Sequence, residues 1–395
     1  MERRLELDAA RGFMLTWMTL THLPTLASLI SNQPFGFVSA AEGFIFLSAL
    51  FSGRVYFRIA QRDGYPAMRS RLWMRALRLY AYHALLLCFA FVVEARIAAH
   101  GNRPGLHNLL DFYFAAGPKQ AVFDAALLIY RPPLLDILPM YIFFLLLTPL
   151  VLTVRGRVGW KVILSASFAV WLAAQFGLRV AAYDFLVHTF GLTVPLNEMG
   201  SFDLWAWQFL WVIGLYCGVR WVKRDLPAEA WAKRAVIPAA LIVPCLLVLR
   251  YAVGHGIELG RFEVSFDKWH LGVVRLFDFA AIAALLVRFQ AIIKPLVVRP
   301  LVMLGQTSLH VFCAHLLFCF LGLTIMGDAS RVGGWEQVAL LAATFAGLLL
   351  TARIFGRSEA KTETSSSDRS LTLVPAGKSA ALSGVTPIAK VRSRR

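Results

Sequence analysis

Apolar residues in this chain come in long blocks rather than in the three-or-four spacing of a soluble amphipathic helix. Stretches of about 20 residues, enough for a helix to cross the hydrocarbon core of a bilayer, recur along nearly the whole length. The pattern predicts ten spans, centred near residues 12–31, 36–56, 74–95, 134–154, 160–178, 203–221, 234–252, 271–291, 302–325 and 335–354. The fold class expected is an all-α polytopic membrane protein, a helical bundle with short loops. Two segments break the pattern. The connection over 96–133 contains "GLHNLLDFYFAAGPKQAVFDAALLIYRPP", too aromatic for a solvated linker, and predicts short helices on the bundle's outer face. The segment 356–395 is rich in Ser, Thr, Lys and Arg and predicts a disordered basic tail after a membrane domain spanning 1–355. The first apolar run is long, lacks a small-residue cleavage site and leads straight into another span, so no cleavable signal peptide is expected. No internal repeat or matched pair of broken helices is evident.

Composition agrees with lipid as the solvent: 58% of the 395 residues are hydrophobic and 16% charged, with a mean hydropathy of +0.63. The net charge of +17 would be compatible with nucleic acid as a partner, but its distribution argues against that. With the N-terminus inside, cytoplasmic segments collect 30 of the 40 Lys and Arg. That bias is the positive-inside rule, and it places both termini in the cytoplasm. The basic tail would meet anionic lipid only weakly. All five cysteines (Cys88, Cys217, Cys245, Cys313, Cys319) fall inside the predicted spans, without metal-ligand spacing. Neither disulfides, a metal nor a permanently bound cofactor is expected.

Ionisable residues inside apolar spans point to function because burying them in lipid is costly. In "LDAARGFMLTWMTLTHLP", Arg11 and His22 lie eleven residues apart, a rise of about 16 Å, and share one helical face with Asp8 close by. His22 is a candidate general base near mid-bilayer; the alternative is a histidine that only bonds a neighbouring helix. In the second span, "GFVSAAEGFIFLSALFSG", Glu42 lies near the depth of His22 and could orient it, or act as a helix–helix hydrogen bond. Arg71, Arg75 and Arg78 line one face at the inner mouth of the third span and suit a phosphorylated donor; the alternative is topology-setting arginines whose side chains snorkel. His83 could extend that path or simply pack. In "LGQTSLHVFCAHLLF", His310 and His315 differ by about 140° around the helix, and His315 is the one expected to face a cavity. Ser308, Asp136, Tyr141 and Asp278 are further buried polar candidates, each with a structural role as the alternative.

At these residues the chain resembles the membrane acyltransferase-3 superfamily. The resemblance rests on an arginine, ten residues and a histidine after "LDAARG", on "AAEGFIFLSALFSG", on "RALRLY" and on "LGQTSLHVFCAH". More closely, "LDAARGFMLTWMTLTHLP", "FGFVSAAEGFIFLSA" and "DILPMYIFFLLLTP" look like the OpgC family, associated with succinylation of osmoregulated periplasmic glucans, over about residues 5–355. The chain departs from the wider superfamily in two places: "LPMYIFF" replaces its usual "SxxxE" stretch, and Glu42 stands where an Asp is common. The resemblance implies an inner-membrane O-acyltransferase. It would use cytoplasmic acyl-CoA as co-substrate and acylate a hydroxyl of a periplasmic glycan. His22 would be catalytic, with Arg11 its partner, and Arg75 and Arg78 would hold the donor. The competing expectation is a transporter or flippase for a glycan or lipid-linked sugar, with His22 and Glu42 as a proton relay.

Overall fold

The computed structural model describes residues 5–101, 104–327 and 334–372. Among these residues there is no strand, and nine principal helices carry the architecture: α1 (Leu5–His22), α2 (Ala40–Phe89), α3 (Ile137–Gln175), α4 (Leu204–Val222), α5 (Ala228–Gly254), α6 (Val273–Arg288), α7 (Arg299–Gln306), α8 (Ser308–Met326) and α9 (Gly334–Thr372). The aromatic connection between α2 and α3 forms the expected short helices, Pro104–Leu109, Asp111–Ala116 and Pro118–Ala126, with Leu106, Leu110 and Phe112 buried. α9 continues past Phe355 to Thr372, and the basic segment after it lies outside the described residues.

Among the described residues, six helices are long and apolar enough to cross a membrane, or seven if α6 and the short helical turns Gln290–Leu296, bent by 92° from it, count as one span. The count of about ten expected from the sequence is not confirmed, because two of these helices are long and bent. The region Ala40–His100 runs 61 residues and α3 runs 39, about 90 Å and 60 Å at 1.5 Å per residue, against about 30 Å of hydrocarbon. Each is bent at a glycine with left-handed φ, Gly64 at +86° and Gly159 at +79°, a conformation only glycine adopts freely. The hydropathy pattern reads the arms of each bent helix as separate spans. It also counts α1, which carries Glu6, Asp8 and Arg11 within 18 residues.

α2 packs against α3 and α4, α1 against α7, and α8 against α9. Their shared core includes Leu15, Ile45, Leu72, Leu79, Trp207 and Phe320. α5 pairs with α6 at the periphery and turns Ile237, Leu241 and Val248 outward, as a lipid-facing helix should. The tightest crossing is α1 on α7. A β-carbon on Gly12 would lie 1.9 Å from the Leu301 carbonyl oxygen, and one on Gly305 would lie 1.8 Å from that of Asp8. Small residues that let backbones touch are the usual device of membrane helix packing. Gly12→Val and Gly305→Val should each destabilise the bundle by at least the ~1–3 kcal/mol typical of overpacking, read as a lower melting temperature in detergent. Gly105→Val, where an added β-carbon meets nothing within 4 Å, is the control.

Candidate active site

The crossing of α1 and α7 sets the first functional contact. Arg11 is next to Gly12, and Ser308 begins the helix after Gly305, so the close approach brings Arg11 Nη2 onto Ser308 Oγ, which accepts its hydrogen bond. The Arg11 guanidinium also lies 4.7 Å from the centre of the Phe51 ring. Beside it is a narrow cavity of about 10 Å³, room for about one water molecule, lined by Arg11, Phe44, Arg75, Tyr141, Ser308, Leu309 and Phe312. Arg75 donates to the Tyr141 hydroxyl at 2.9 Å. The structure thus gathers Arg11, Arg75, Ser308 and Tyr141, four sequence candidates from four helices, around one space. The other two arginines of the stripe are elsewhere: Arg71 pairs at 3.0 Å with Asp63 and is half exposed, and Arg78 is exposed. Of the three arginines, Arg75 alone lines this cavity.

The second feature is a histidine pair. Pro24 cannot continue a helix and disfavours helical backbone in the residue before it, so α1 ends at His22 and its imidazole sits on the last turn. His22 Nδ1 lies 3.3 Å from His315 Nε2, with the rings 5.6 Å apart and inclined by 23°. His315 is fully buried, and its Nδ1 lies 2.7 Å from the Phe312 carbonyl oxygen. This chain fixes the tautomers when both rings are neutral. A carbonyl can only accept, so His315 Nδ1 carries a proton and its Nε2 is a lone pair. His22 Nδ1 must then be the donor, which leaves the lone pair of His22 Nε2 unspent, and that atom makes no hydrogen bond among the described residues. His310, one and a half turns before His315, instead stacks on Phe355 at 4.0 Å and meets Tyr82 edge-on. His83 is fully buried, with neither ring nitrogen bonded.

Glu42 is placed differently from the sequence expectation. It sits three residues after Ser39 at the start of α2, where its Oε2 accepts from the Ser39 backbone N–H at 2.9 Å and from the Ser39 hydroxyl at 2.5 Å. Its Oε1 takes Arg275 Nε at 2.8 Å and also Arg275 Nη2, in an ion pair that is almost wholly buried. The partner that orients His22 is therefore His315, and Glu42 ties α2 to α6. The Ser-x-x-Glu spacing before an apolar run is a capping-box signal that was present in the sequence. Nothing local pointed to Arg275, which lies 233 positions from Glu42. Asp278 and Asp136 have structural partners: Asp278 accepts from the Phe37 N–H at 2.7 Å, and Asp136 from that of Ser201 at 3.0 Å.

Lys268, which nothing local in the sequence marked out, lies on the loop before α6 beside the rings of Trp269 and Phe202. That loop is closed by Asp267, which accepts from the N–H groups of Trp269 and His270 and, at 2.5 Å, from His270 Nδ1. The hydrogen bond to Asp267 raises the His270 pKa above its ordinary 6.5. Desolvation pushes the Asp267 carboxyl up, but bonds from His270 and Trp269 outweigh it and hold it below its ordinary 3.8.

The fold and site define a multi-pass helical membrane protein that holds a histidine pair between two helices and, separately, a small cavity lined by arginines. The family can now be given: the family model described as OpgC protein matches residues 3–360, and the chain belongs to that family. Membership points to a glucan-modifying enzyme of acyltransferase type. No match is found among the curated proteins or among the solved structures.

Two outcomes follow from the charges of the site. Removing one member of a buried ion pair strands the other, so Arg275→Met should cost about 3–5 kcal/mol, while Arg275→Met with Glu42→Leu should recover much of that; thermal melts of the singles and the double decide it. The His270–Asp267 bond has a pH window. The raised pKa of His270 makes its contribution fully present below 6.5 and lost as pH rises through the raised value. The lowered pKa of Asp267 makes its share present above 3.8 and lost as pH falls through the lowered one. Titration of ¹⁵N-labelled histidine should show one midpoint above 6.5 that disappears in His270→Gln.

Proposed function

We propose that this chain is a membrane O-acyltransferase of the bacterial inner membrane. It moves an acyl group, succinyl in the first instance, from cytoplasmic acyl-CoA to a hydroxyl of a periplasmic glucan. The observation that carries the proposal is the hydrogen-bond chain from the Phe312 carbonyl through His315 to His22, which leaves His22 Nε2 as a base with an available lone pair. The arginine-lined cavity supports the donor's place. Arg11 and Arg75 offer forked donors to phosphate oxygens, and Arg11 lies about 16 Å of helix rise before His22 on α1. Phe312 joins the two parts, since its ring lines the cavity and its carbonyl holds His315. The excess of Lys and Arg in the N-terminal segment and alternate loops supports a cytoplasmic side for this cavity.

In the reaction, His22 Nε2 takes the proton of the acceptor hydroxyl as its oxygen attacks the thioester carbonyl. Collapse of the tetrahedral intermediate breaks the C–S bond, and the departing thiolate receives the proton from the imidazolium. His315 keeps His22 in the tautomer that can accept. The carbonyl end of the α1 dipole, on whose last turn His22 sits, favours the imidazolium that forms. No covalent enzyme intermediate is required, and Ser308 is occupied as the acceptor for Arg11. A proton relay for a transporter would need His22 and Glu42 in contact, but the Glu42 carboxylate is bonded to Ser39 and Arg275.

The test is mass spectrometry of periplasmic glucans from a strain lacking the protein, complemented with wild type or variants. Wild type should restore the succinyl mass increment, and His22→Ala, at normal membrane levels, should lower transfer by about 10²–10⁴-fold. His315→Phe should lower kcat more than it changes KM. Glucans left unaltered by wild type would sink the acceptor assignment, and undiminished transfer by His22→Ala would sink the mechanism.

A further inference from the structure

Lys268 is a cation for which the fold provides an elaborate mount and no anion in contact. Its ammonium makes no hydrogen bond or ion pair with the described residues. It is flanked instead by the rings of Trp269 and Phe202, whose centres lie 4.8 and 5.8 Å away. The nearby carboxylates are engaged elsewhere: Glu42 by Arg275 and Ser39, Asp136 by the Ser201 N–H, and Asp267 by His270.

The loop that carries Lys268 is fixed from several directions. The Trp269 carbonyl accepts from the Trp207 indole at 3.1 Å and from the Asp203 N–H at 3.0 Å. The His270 carbonyl accepts from the Gln175 amide at 2.8 Å, and the Leu271 carbonyl from the Trp171 indole at 3.0 Å. Leu271 is held at a φ of +47°, a strained conformation that persists only where the surroundings over-determine it. Four donors, two from α3 and two from α4 and the residue before it, thus converge on three successive carbonyls beside one unpaired lysine, which is how a binding group is preorganised.

Position says which anion this is. Arg11 begins the α1 path and His22 ends it, and ring contacts bring the Lys268 loop to that end: Phe266 packs on Phe37 at 4.6 Å, just ahead of α2, and in the first turns of α2 Phe44 stacks at 5.3 Å on Phe312, which in turn meets the His315 ring at 5.0 Å. A donor entering phosphate-first at Arg11 and Arg75 would place its thioester at His22 and the far end of its acyl chain beyond. We infer that Lys268 is the specificity residue that receives the terminal carboxylate of a dicarboxylic acyl group, and so selects succinyl over a neutral acyl chain. No bond changes at that carboxylate during transfer; it is held while C–S cleavage and ester formation proceed at His22. The inference rests on the acyl-transfer reading above.

The experiment measures transfer from succinyl-CoA and from acetyl-CoA to purified periplasmic glucan by membrane-embedded wild type, Lys268→Met and Lys268→Arg. Expected is a fall of about 10- to 100-fold in the succinyl-to-acetyl ratio of kcat/KM for Lys268→Met, the effect of losing a charge-assisted hydrogen bond. Lys268→Arg should largely keep the ratio. A structural role would lower both donors together and leave the ratio where it was, which would overturn the inference and leave the acyl-transfer reading intact. So would a wild type that transfers acetyl but not succinyl. Transfer of neither acyl group by wild type would overturn both.

Discussion

Where α1 crosses α7 the two backbones touch, and two absent β-carbons permit it. That contact sets the rest of the site. With Gly12 against the Leu301 carbonyl and Gly305 against that of Asp8, Arg11 has little choice but to meet Ser308, the residue that opens α8. α8 then carries Phe312 and His315 at fixed rises above Ser308, while α1 carries His22 above Arg11. The histidine pair is in effect the far end of two rods pinned at the near end. Within a bilayer no solvent fills a gap between badly seated helices, so a small separation at the crossing would be carried along both rods to the imidazoles.

The buried Glu42–Arg275 pair pins the other side of the molecule. An ion pair of this kind adds little net stability compared with apolar packing, but it tolerates no partial solution, because either member alone would be an uncompensated charge. It joins the start of α2 to the first turn of α6, directly after the loop that presents Lys268. The position of that loop is therefore set from two sides, by the ion pair below and by the indole and amide donors of α3 and α4.

The parts of this arrangement that depend on one helix were readable in the chain. Arg11 and His22 announce themselves by spacing, and the opposite faces of His310 and His315 follow from rotation alone; their stacking partners, Phe355 and His22, bear this out. Apolar blocks were enough to establish an all-helical membrane fold, but not that neighbouring blocks are the arms of one helix bent at Gly64 or at Gly159, because hydropathy carries no φ. Contacts between distant segments were the illegible part. Glu42 had two apolar spans and a histidine nearby in sequence, and its actual partner lay over two hundred residues on. Lys268 looked like one more charge in an outer loop, since its value comes from what its neighbours are already bonded to.

Phe312 divides its duties between two chemically independent groups. Its carbonyl sets the tautomer of His315, whereas its ring forms part of the cavity wall. A carbonyl is common to all twenty residue types, so the backbone's contribution to the base survives any side chain that leaves α8 helical. The bore of the cavity can then change at this position without disturbing the proton chemistry one turn away. On the acyl-transfer reading proposed above, donors of different girth would become accessible by single substitutions, without the histidine pair being rebuilt each time.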